Sequence, residues 1–340
     1  MYTQIELEML NLGDADCILL SAVINGYTER VLIDGGNTGD TNIVAAFLLS
    51  RGIRHIDHLV ATHTHDDHVG GLVRLVQDRR FTFGTAWLHL PWDHIDIRTV
   101  LLVLKSGDGQ DIKIAKKFLS GLQTTYALTK EIERRGDIAI AQPFQDDAIG
   151  PLIVCSPTIE FYRTKLCEFA DLDRVKEINA THLRYSLQES VSIASGRTEE
   201  EVYGLMENPV ADPENEASIV TSFSCNGRVG LLTADAGVDA LGLAIQKHGL
   251  ERIDFMQIPH HGSRRNITER LIQHFAPRIA FVSAAGNGKH PRRSVVYAFQ
   301  RAGTAAYSTH WPKPGGNKWQ GFGNAAMPSF YKPASKLYDE

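Results

Sequence analysis

Cysteine is scarce: the 340 residues hold four, Cys17, Cys155, Cys167 and Cys225, far apart and with no CxxC pair. That spacing argues against a disulfide framework and against a thiolate zinc site, and leaves four reduced, small apolar side chains. Long hydrophobic runs are missing too. The richest, such as Thr99 to Leu104, end after about six residues, where a membrane-spanning helix needs about 20. No membrane association is therefore expected. The N-terminus, MYTQIELEMLNLGDADC, has neither a basic opening nor a continuous apolar stretch, so it reads as a first strand and not as a signal peptide, and a cytoplasmic address is expected. With 43% hydrophobic and 22% charged residues, disorder as the dominant state is excluded.

The net charge of −5 conceals an asymmetry. Residues 251–340 carry 13 Lys and Arg against 5 Asp and Glu, whereas the first 250 carry 22 against 35. A basic last quarter favours an anionic substrate if it lies beside a catalytic centre, and otherwise only solubility.

Organisation follows from periodicity and turn chemistry. Gln4 to Met9 alternates as a strand, and Cys17 to Val23 and Glu29 to Ile33 flank an Asn25-Gly26 turn, which reads as a hairpin. Asn42 to Ser50 has helical spacing and stops at Gly52, ahead of a strand at His58 to Thr62. The order recurs: strands Ser218 to Ser224 and Val229 to Thr233 flank Asn226-Gly227. A helix at Val238 to His248, a strand at Phe255 to Ile258, a helix at Thr268 to Phe275 and a strand at Ile279 to Ser283 follow. Two β-rich halves, each trailed by helices, imply an αββα sandwich of two mixed sheets with outer helices, in a single domain spanning 1–340. Residues 98–217 fit this echo less well. Lys105 to Arg135 is helical in pattern, Leu152 to Cys155 is a short buried strand, and Ile159 to Glu216 is polar with acidic clusters such as Glu199 to Glu201. The stretch is expected to be a helical or partly mobile insertion and a surface for a protein partner.

The densest chemistry is THTHDDHVGGL, residues 62–72, directly after the strand HLVAT. Alternate residues of an extended loop point the same way, so His63 and His65 suit one ion, while Asp67 and His68 turn toward a neighbouring one. Gly70 and Gly71 permit close helix packing. Asp235, after the apolar strand VGLLTA, can bridge two cations with its two oxygens, or simply cap the helix from Val238. His260 and His261 follow a further strand end, with His260 taken as the ligand. Two divalent ions are expected, zinc first and manganese second, with Asp67, Asp235 and His261 as the catalytic candidates.

HxHxDH after a strand, LLTAD, IPHHGS and the opening LNLGDADCILL with VLIDGGN together resemble the metallo-β-lactamase-fold hydrolases. Within them, ENEASIV, PHHGSRRN and KHPRRSVVYAFQRAG resemble the hydrolase domain of ComEC-type competence proteins and their stand-alone relatives. The resemblance runs from Glu6 to about Thr309 and implies the αββα fold, a dinuclear site and hydrolysis, often of phosphodiesters. It also implies a departure: many members carry a third histidine about twenty residues before the bridging aspartate, where this chain has Asn215. The first ion is then held by His63, His65 and Asp235. The same resemblance puts the loop with His290 at the mouth of the site.

Arg264, Arg265, Lys289, Arg292 and Arg293 gather around His260 and His290 in sequence, and guanidinium forks match phosphate oxygens. With Asn215 and His290 they are the substrate-binding candidates, for an anionic substrate that extends to single-stranded nucleic acid. The alternative is a solvated basic loop. Trp87, His89, Trp92 and His94 form either a stacking wall for a base or ordinary packing, with packing favoured. Metal-dependent phosphodiester hydrolysis leads. Lactone or thioester hydrolysis, which needs an apolar pocket, and an inactive metal-binding sensor are the alternatives.

Overall fold

Two Asn-Gly turns organise the chain. Asn25 and Gly26 (φ 51° and 80°) and Asn226 and Gly227 (φ 52° and 73°) all take left-handed conformations, as the tight turn of a two-residue hairpin requires. The first joins β2 (Ile18–Ile24) to β3 (Tyr27–Ile33), and the second joins β9 (Val220–Cys225) to β10 (Arg228–Leu232). Around them the computed structural model describes residues 2–95, 109–170, 205, 207–284, 290–309 and 317–322.

Each hairpin seeds a seven-stranded mixed sheet. In the first, β1 (Gln4–Leu10) pairs antiparallel with both β2 and β14 (Asn317–Phe322). From β3 outward, β4 (His55–Val60), β5 (Thr82–Trp87) and β6 (Ala139–Ala141) are added in parallel. In the second, β9 pairs antiparallel with β8 (Leu152–Ser156), which pairs with β7 (Ala148–Ile149). From β10 outward, β11 (Phe255–Gln257), β12 (Ile279–Val282) and β13 (Ala305–Ser308) run parallel. This is the αββα sandwich that the repeated pattern implies.

The alternation of strand residues builds the layers. Ile5, Leu7 and Met9 of β1 and Ile18, Leu20 and Ala22 of β2 face a core shared with Leu152, Phe223, Phe255 and Phe281 of the other sheet. Their neighbours Cys17 and Leu19 point the opposite way, into a second core. That outer core packs α1 (Thr41–Ser50) and α2 (Asp66–Gln77) on the first sheet, together with the C-terminal part of α3 (Gly109–Arg135). On the far side α6 (Val238–His248), α7 (Glu269–Phe275) and α8 (Arg293–Arg301) cover the second sheet. Both ends of α6 fall where the sequence pattern puts them. Its C-cap Gly249 has φ 56°, the left-handed stop that glycine tolerates best.

The stretch 98–217 is more than an insertion. Residues 139–141, 148–149 and 152–156 are strands of the two sheets. Only beyond them does material stand outside the sandwich: part of α3, with α4 (Ile159–Ala170) and the one-turn helix α5 (Pro213–Glu216). Phe118, Leu122, Tyr162, Leu166, Phe169 and Ala217 form a small core of their own there. The acidic cluster Glu199 to Glu201 lies outside the described residues, as do residues 96–108 and 171–204. Among the described residues no helix is long and apolar enough to cross a membrane.

Candidate metal centre

Six loops meet at the carboxyl ends of the parallel strands, the end of an α/β sheet where side chains and helix starts leave a crevice. Asp16 lies between β1 and β2, Asp34 directly follows β3, and residues 61–68 link β4 to α2. Asp235 follows β10, His260 and His261 follow β11, and Ser283 follows β12. The close packing that this needs is visible at Gly71. Its N–H donates to the Gly36 carbonyl (2.8 Å), the Gly35 N–H donates to the His68 carbonyl (2.7 Å), and a Cβ on Gly71 would stand 1.9 Å from the Gly35 oxygen. Glycine at 71 therefore lets α2 lie against the Asp34 loop and brings His68 onto Asp34.

Two clusters result. Asp16, His68, Asp235 and His261 bring one ligand atom each within 4.8 Å of one another, all four residues buried, and His63, His65 and Asp235 do the same. Asp235 belongs to both. His68 Nε2 is 3.3 Å from its Oδ1, and His63 Nε2 is 3.6 Å from its Oδ2.

The rings are oriented from behind. His68 Nδ1 donates to Asp34 Oδ2 at 2.7 Å, and the Thr62 hydroxyl donates to the same oxygen at 2.7 Å, so it must accept from His63 Nδ1 at 3.1 Å. His261 Nδ1 donates to the Ser283 carbonyl at 2.8 Å. In each case the outward nitrogen is tied down and Nε2 is turned to the cluster, the arrangement by which a second shell fixes tautomer and aim. Gln257 supports the other side: its Oε1 accepts from Thr233 N and Ala234 N, and its Nε2 donates to Asp16 Oδ2 at 3.0 Å. Left-handed φ at Asp34 (58°), Ala234 (46°), His260 (47°) and His261 (52°) shows where backbone strain is spent to aim these groups.

The buried atoms without hydrogen-bond partners include, at this centre, His63 Nε2, His68 Nε2, Asp16 Oδ1 and both oxygens of Asp235. Buried polar atoms left so are costly. All five belong to the two clusters, and each can act as an electron-pair donor. Divalent cations fit this donor set.

Charge agrees with that reading. Burial opposes ionisation of Asp235, yet the facing His260, His68 and His261 hold its pKa well below the ordinary range. Burial likewise works against charge on His68, but Asp235, Asp34 and Asp67 outweigh it and raise its pKa well above that of free imidazole. His261 is pushed up to about 9 by Asp235, Asp67 and Asp16 against the same penalty. His63 is driven well below by burial and by the charge on His68, and burial raises Asp16. Protons thus sit where cations would, and cation binding would release them.

The remaining candidates spread around this centre. Asp67, half-buried, sits 3.2 Å from His261 Nε2 and 3.9 Å from His68 Nε2, outside both clusters. Of the histidine pair, the geometry clusters His261 and not His260. His260 Nε2 is 3.6 Å from Asp235 Oδ2, while its Nδ1 donates to Asn266 Oδ1 at 3.0 Å. Asn215 Nδ2 lies 3.0 Å from that same Nδ1, which puts Asn215 behind His260 and beside the centre. The buried His290 ring lies 5.7 Å from His260 and 6.1 Å from His261, centroid to centroid. Arg292 N–H donates to the Gly262 carbonyl, tying the two basic loops together. Arg264, Arg265 and Arg292 are half-buried and Arg293 is exposed; Lys289 lies outside the described residues. The aromatic segment is packing: Trp87 Nε1 donates to His58 Nδ1, His89 packs between Phe144 and Tyr162, and Trp92 meets Tyr126 edge-on.

Three residues that the sequence reading left without a role stand at the centre: Asp16, Asp34 and Gln257. The first two were visible as part of LNLGDADC and VLIDGG, which carry the resemblance, but nothing in their spacing connects them to His68. Gln257 had no signal at all.

Beside His63 the site opens into a mostly apolar cavity of about 470 Å3, part of it continuous with solvent. Leu88, Leu122, Tyr162, Leu166 and Phe169 wall it, so the small outer core and the sandwich enclose it between them.

A profile of the Metallo-beta-lactamase superfamily matches residues 14–138, the segment with the Asp16 loop, Asp34 and the histidine motif. Over that segment the chain is similar to the metallo-β-lactamase superfamily, and its buried His and Asp clusters have metal-binding geometry. It is a distant homologue of ComE operon protein 3 of Bacillus subtilis (strain 168), 20% identical over 314 residues, an alignment covering 87% of this chain and 30% of that protein. The chain thus spans less than a third of the length of that relative. Similar solved structures include the metallo-beta-lactamase fold protein YhfI from Bacillus subtilis (TM-score 0.47, 9% identity, 94% of this chain and 100% of that one). Another is Igni18, a metallo hydrolase from Ignicoccus hospitalis KIN4/I (TM-score 0.41, 10% identity, 93% and 99%).

Proposed function

We propose that the chain is a two-metal hydrolase acting on phosphodiesters. The observation that carries this is the pair of buried clusters sharing Asp235. On this reading His63, His65 and Asp235 hold one divalent ion, and Asp16, His68, His261 and Asp235 hold the other, with zinc the first candidate and manganese the second. Such a pair supplies a water acidified to near neutrality and a pull on the substrate oxygens. The protein does the rest. Asp34 keeps His63 and His68 in the ligating tautomer, and Asp67, kept ionised by His68 and His261 although burial opposes it, is placed to orient a water. Arg264, Arg265, Arg292 and Arg293, on the loops next to His260 and His290, would face the anionic part of the substrate, which extends to single-stranded nucleic acid.

A lactone or thioester substrate is the second reading, favoured by the apolar cavity beside His63. Assays of bis(p-nitrophenyl) phosphate, a short single-stranded oligonucleotide, a lactone and a thioester, each with zinc or manganese added, separate the two. Metal-dependent cleavage of the diester is expected. Cleavage of the oligonucleotide should weaken steeply with salt and further in Arg292→Glu with Arg293→Glu. Turnover of the acyl substrates alone would transfer the assignment to them, and no turnover with two ions bound would leave a metal-binding module.

A further inference from the structure

The cavity beside His63 is set apart from the basic loops by its chemistry. Apart from Lys165 and Glu214 its charged lining is absent among the described residues, and the Lys165 ammonium is already taken: Glu168 stands 3.2 Å and Asp239 3.0 Å from Nζ. A negatively charged group gains little there. Two hydroxyls point to an occupant. Thr64, on the histidine loop, and Thr125, on α3 and only 2% exposed, both line the cavity, and both have a buried Oγ1 with no hydrogen-bond partner. His63 belongs at once to the cavity wall and to a metal cluster, so whatever fills the cavity ends at the reacting centre.

We propose that this cavity is a subsite for an uncharged hydrocarbon arm of the substrate, attached to the group that is hydrolysed and offering an oxygen to the Thr64 and Thr125 hydroxyls. The substrate class is then amphipathic: an ester with its polar end at the Asp235 clusters and an alkyl or aryl arm between α3 and α4. The inference rests on the metal-hydrolase reading for the polar end alone.

The test is binding, not turnover. Linear alkylphosphonates from methyl to octyl are titrated calorimetrically into the zinc-loaded full chain. Affinity is expected to rise about fourfold per added methylene, the transfer value for one buried methylene, until the cavity is full, and then to level off. Leu122→Trp and Leu166→Trp fill the cavity from different helices. Each should flatten the series while leaving methylphosphonate within about twofold of its original affinity, with thermal unfolding showing which variant is intact. Equal affinity along the series in the unmodified chain overturns the subsite, as does an unchanged slope in an intact variant. If methylphosphonate binds no better with zinc than without, while the longer chains keep their slope, the metal reading fails and the subsite stands.

Discussion

Asp34 and Asp235 occupy corresponding places in the two halves of the molecule: each follows the second strand of an Asn-Gly hairpin at the edge of the crevice, with the left-handed conformation at Asp34 itself in one half and at Ala234, just before Asp235, in the other. Their surroundings differ. Asp34 accepts from Thr62 N, the Thr62 hydroxyl and His68 Nδ1, so its carboxylate is fully spent inside the protein. Asp235 is as deeply buried and has no hydrogen-bond partner on either oxygen. The helices that follow differ too. The turn ahead of α1 is closed by its own Asp40, which accepts from Asn37 N and Nδ2, whereas the first turn of α6 is capped by Glu216, brought from α5. One scaffold position has thus been used once to position ligands and once to be one, and the satisfied or unsatisfied state of the carboxylate tells which.

The largest expected effect separates the two aspartates. Asp235→Ala should lower metal-dependent turnover by orders of magnitude and reduce the ions retained per chain, with the metal-free fold kept. Asp34→Ala strands the Thr62 and His68 donors, so it should cost the metal-free protein about 2 kcal/mol and weaken metal binding by about ten- to a hundredfold, with some turnover remaining at saturating metal. Urea unfolding and metal titration of both variants decide the matter. If Asp235→Ala proves the less stable of the two, the division of labour is wrong.

A second contrast lies in the glycines. In Gly71→Ala the new methyl meets backbone, the Gly35 oxygen at 1.9 Å, and α2 must move; a loss of about 3 kcal/mol is expected. In Gly237→Ala it meets the Glu216 carboxylate end at 2.0 Å, which can swing away, and the Ala211 methyl at 2.6 Å, which moves only with its backbone, so a smaller loss of about 2 kcal/mol is expected. Equal melting of the two variants would show that the first half is no more tightly closed than the second.

The last effect concerns the borrowed cap. Burial raises the Glu216 pKa from the usual 4.5 to about 7, against the pull of the Ala240 N–H. The folded chain therefore holds this proton more tightly than the unfolded one. The resulting stabilisation is full below pH 4.5 and is lost as pH rises through 7, by about 2 kcal/mol between pH 5 and 8. Denaturant unfolding at both values should show that difference between the original chain and Glu216→Gln, which cannot ionise. Identical pH slopes would mean that Glu216 keeps its charge throughout.

Much of this could be read in advance, for local reasons. Asn-Gly turns between alternating strands and the run from Val238 to the left-handed Gly249 are decided within about ten residues, and the hairpins and α6 lie where the pattern puts them. HxHxDH brings its ligand types together within six residues. What escaped is what tertiary contact decides. Asp16 meets His261 from more than two hundred residues away. The direction taken by His260 and His261 depends on left-handed conformations at the two histidines themselves, ahead of Gly262, the one residue there whose type signals a turn. Strands as short as Ala148–Ile149 carry too few residues to show a period, so residues 98–217 read as an insertion although part of them runs in the sheets.

The pairing of β1 with β14 bears on the order of assembly. Every residue of the two clusters lies between 16 and 261, yet the edge of the first sheet is covered only when residues 317–322 pair with Ile5 to Leu10. A chain emerging from the ribosome thus has all its cluster residues before it has β14, and until then β1 offers a free row of backbone donors and acceptors to any other strand. Chains cut after Ser308 should accordingly self-associate, as light scattering would show, while retaining the capacity to bind zinc. On this view β14 acts less as part of the chemistry than as the cover that keeps β1 from pairing with another molecule.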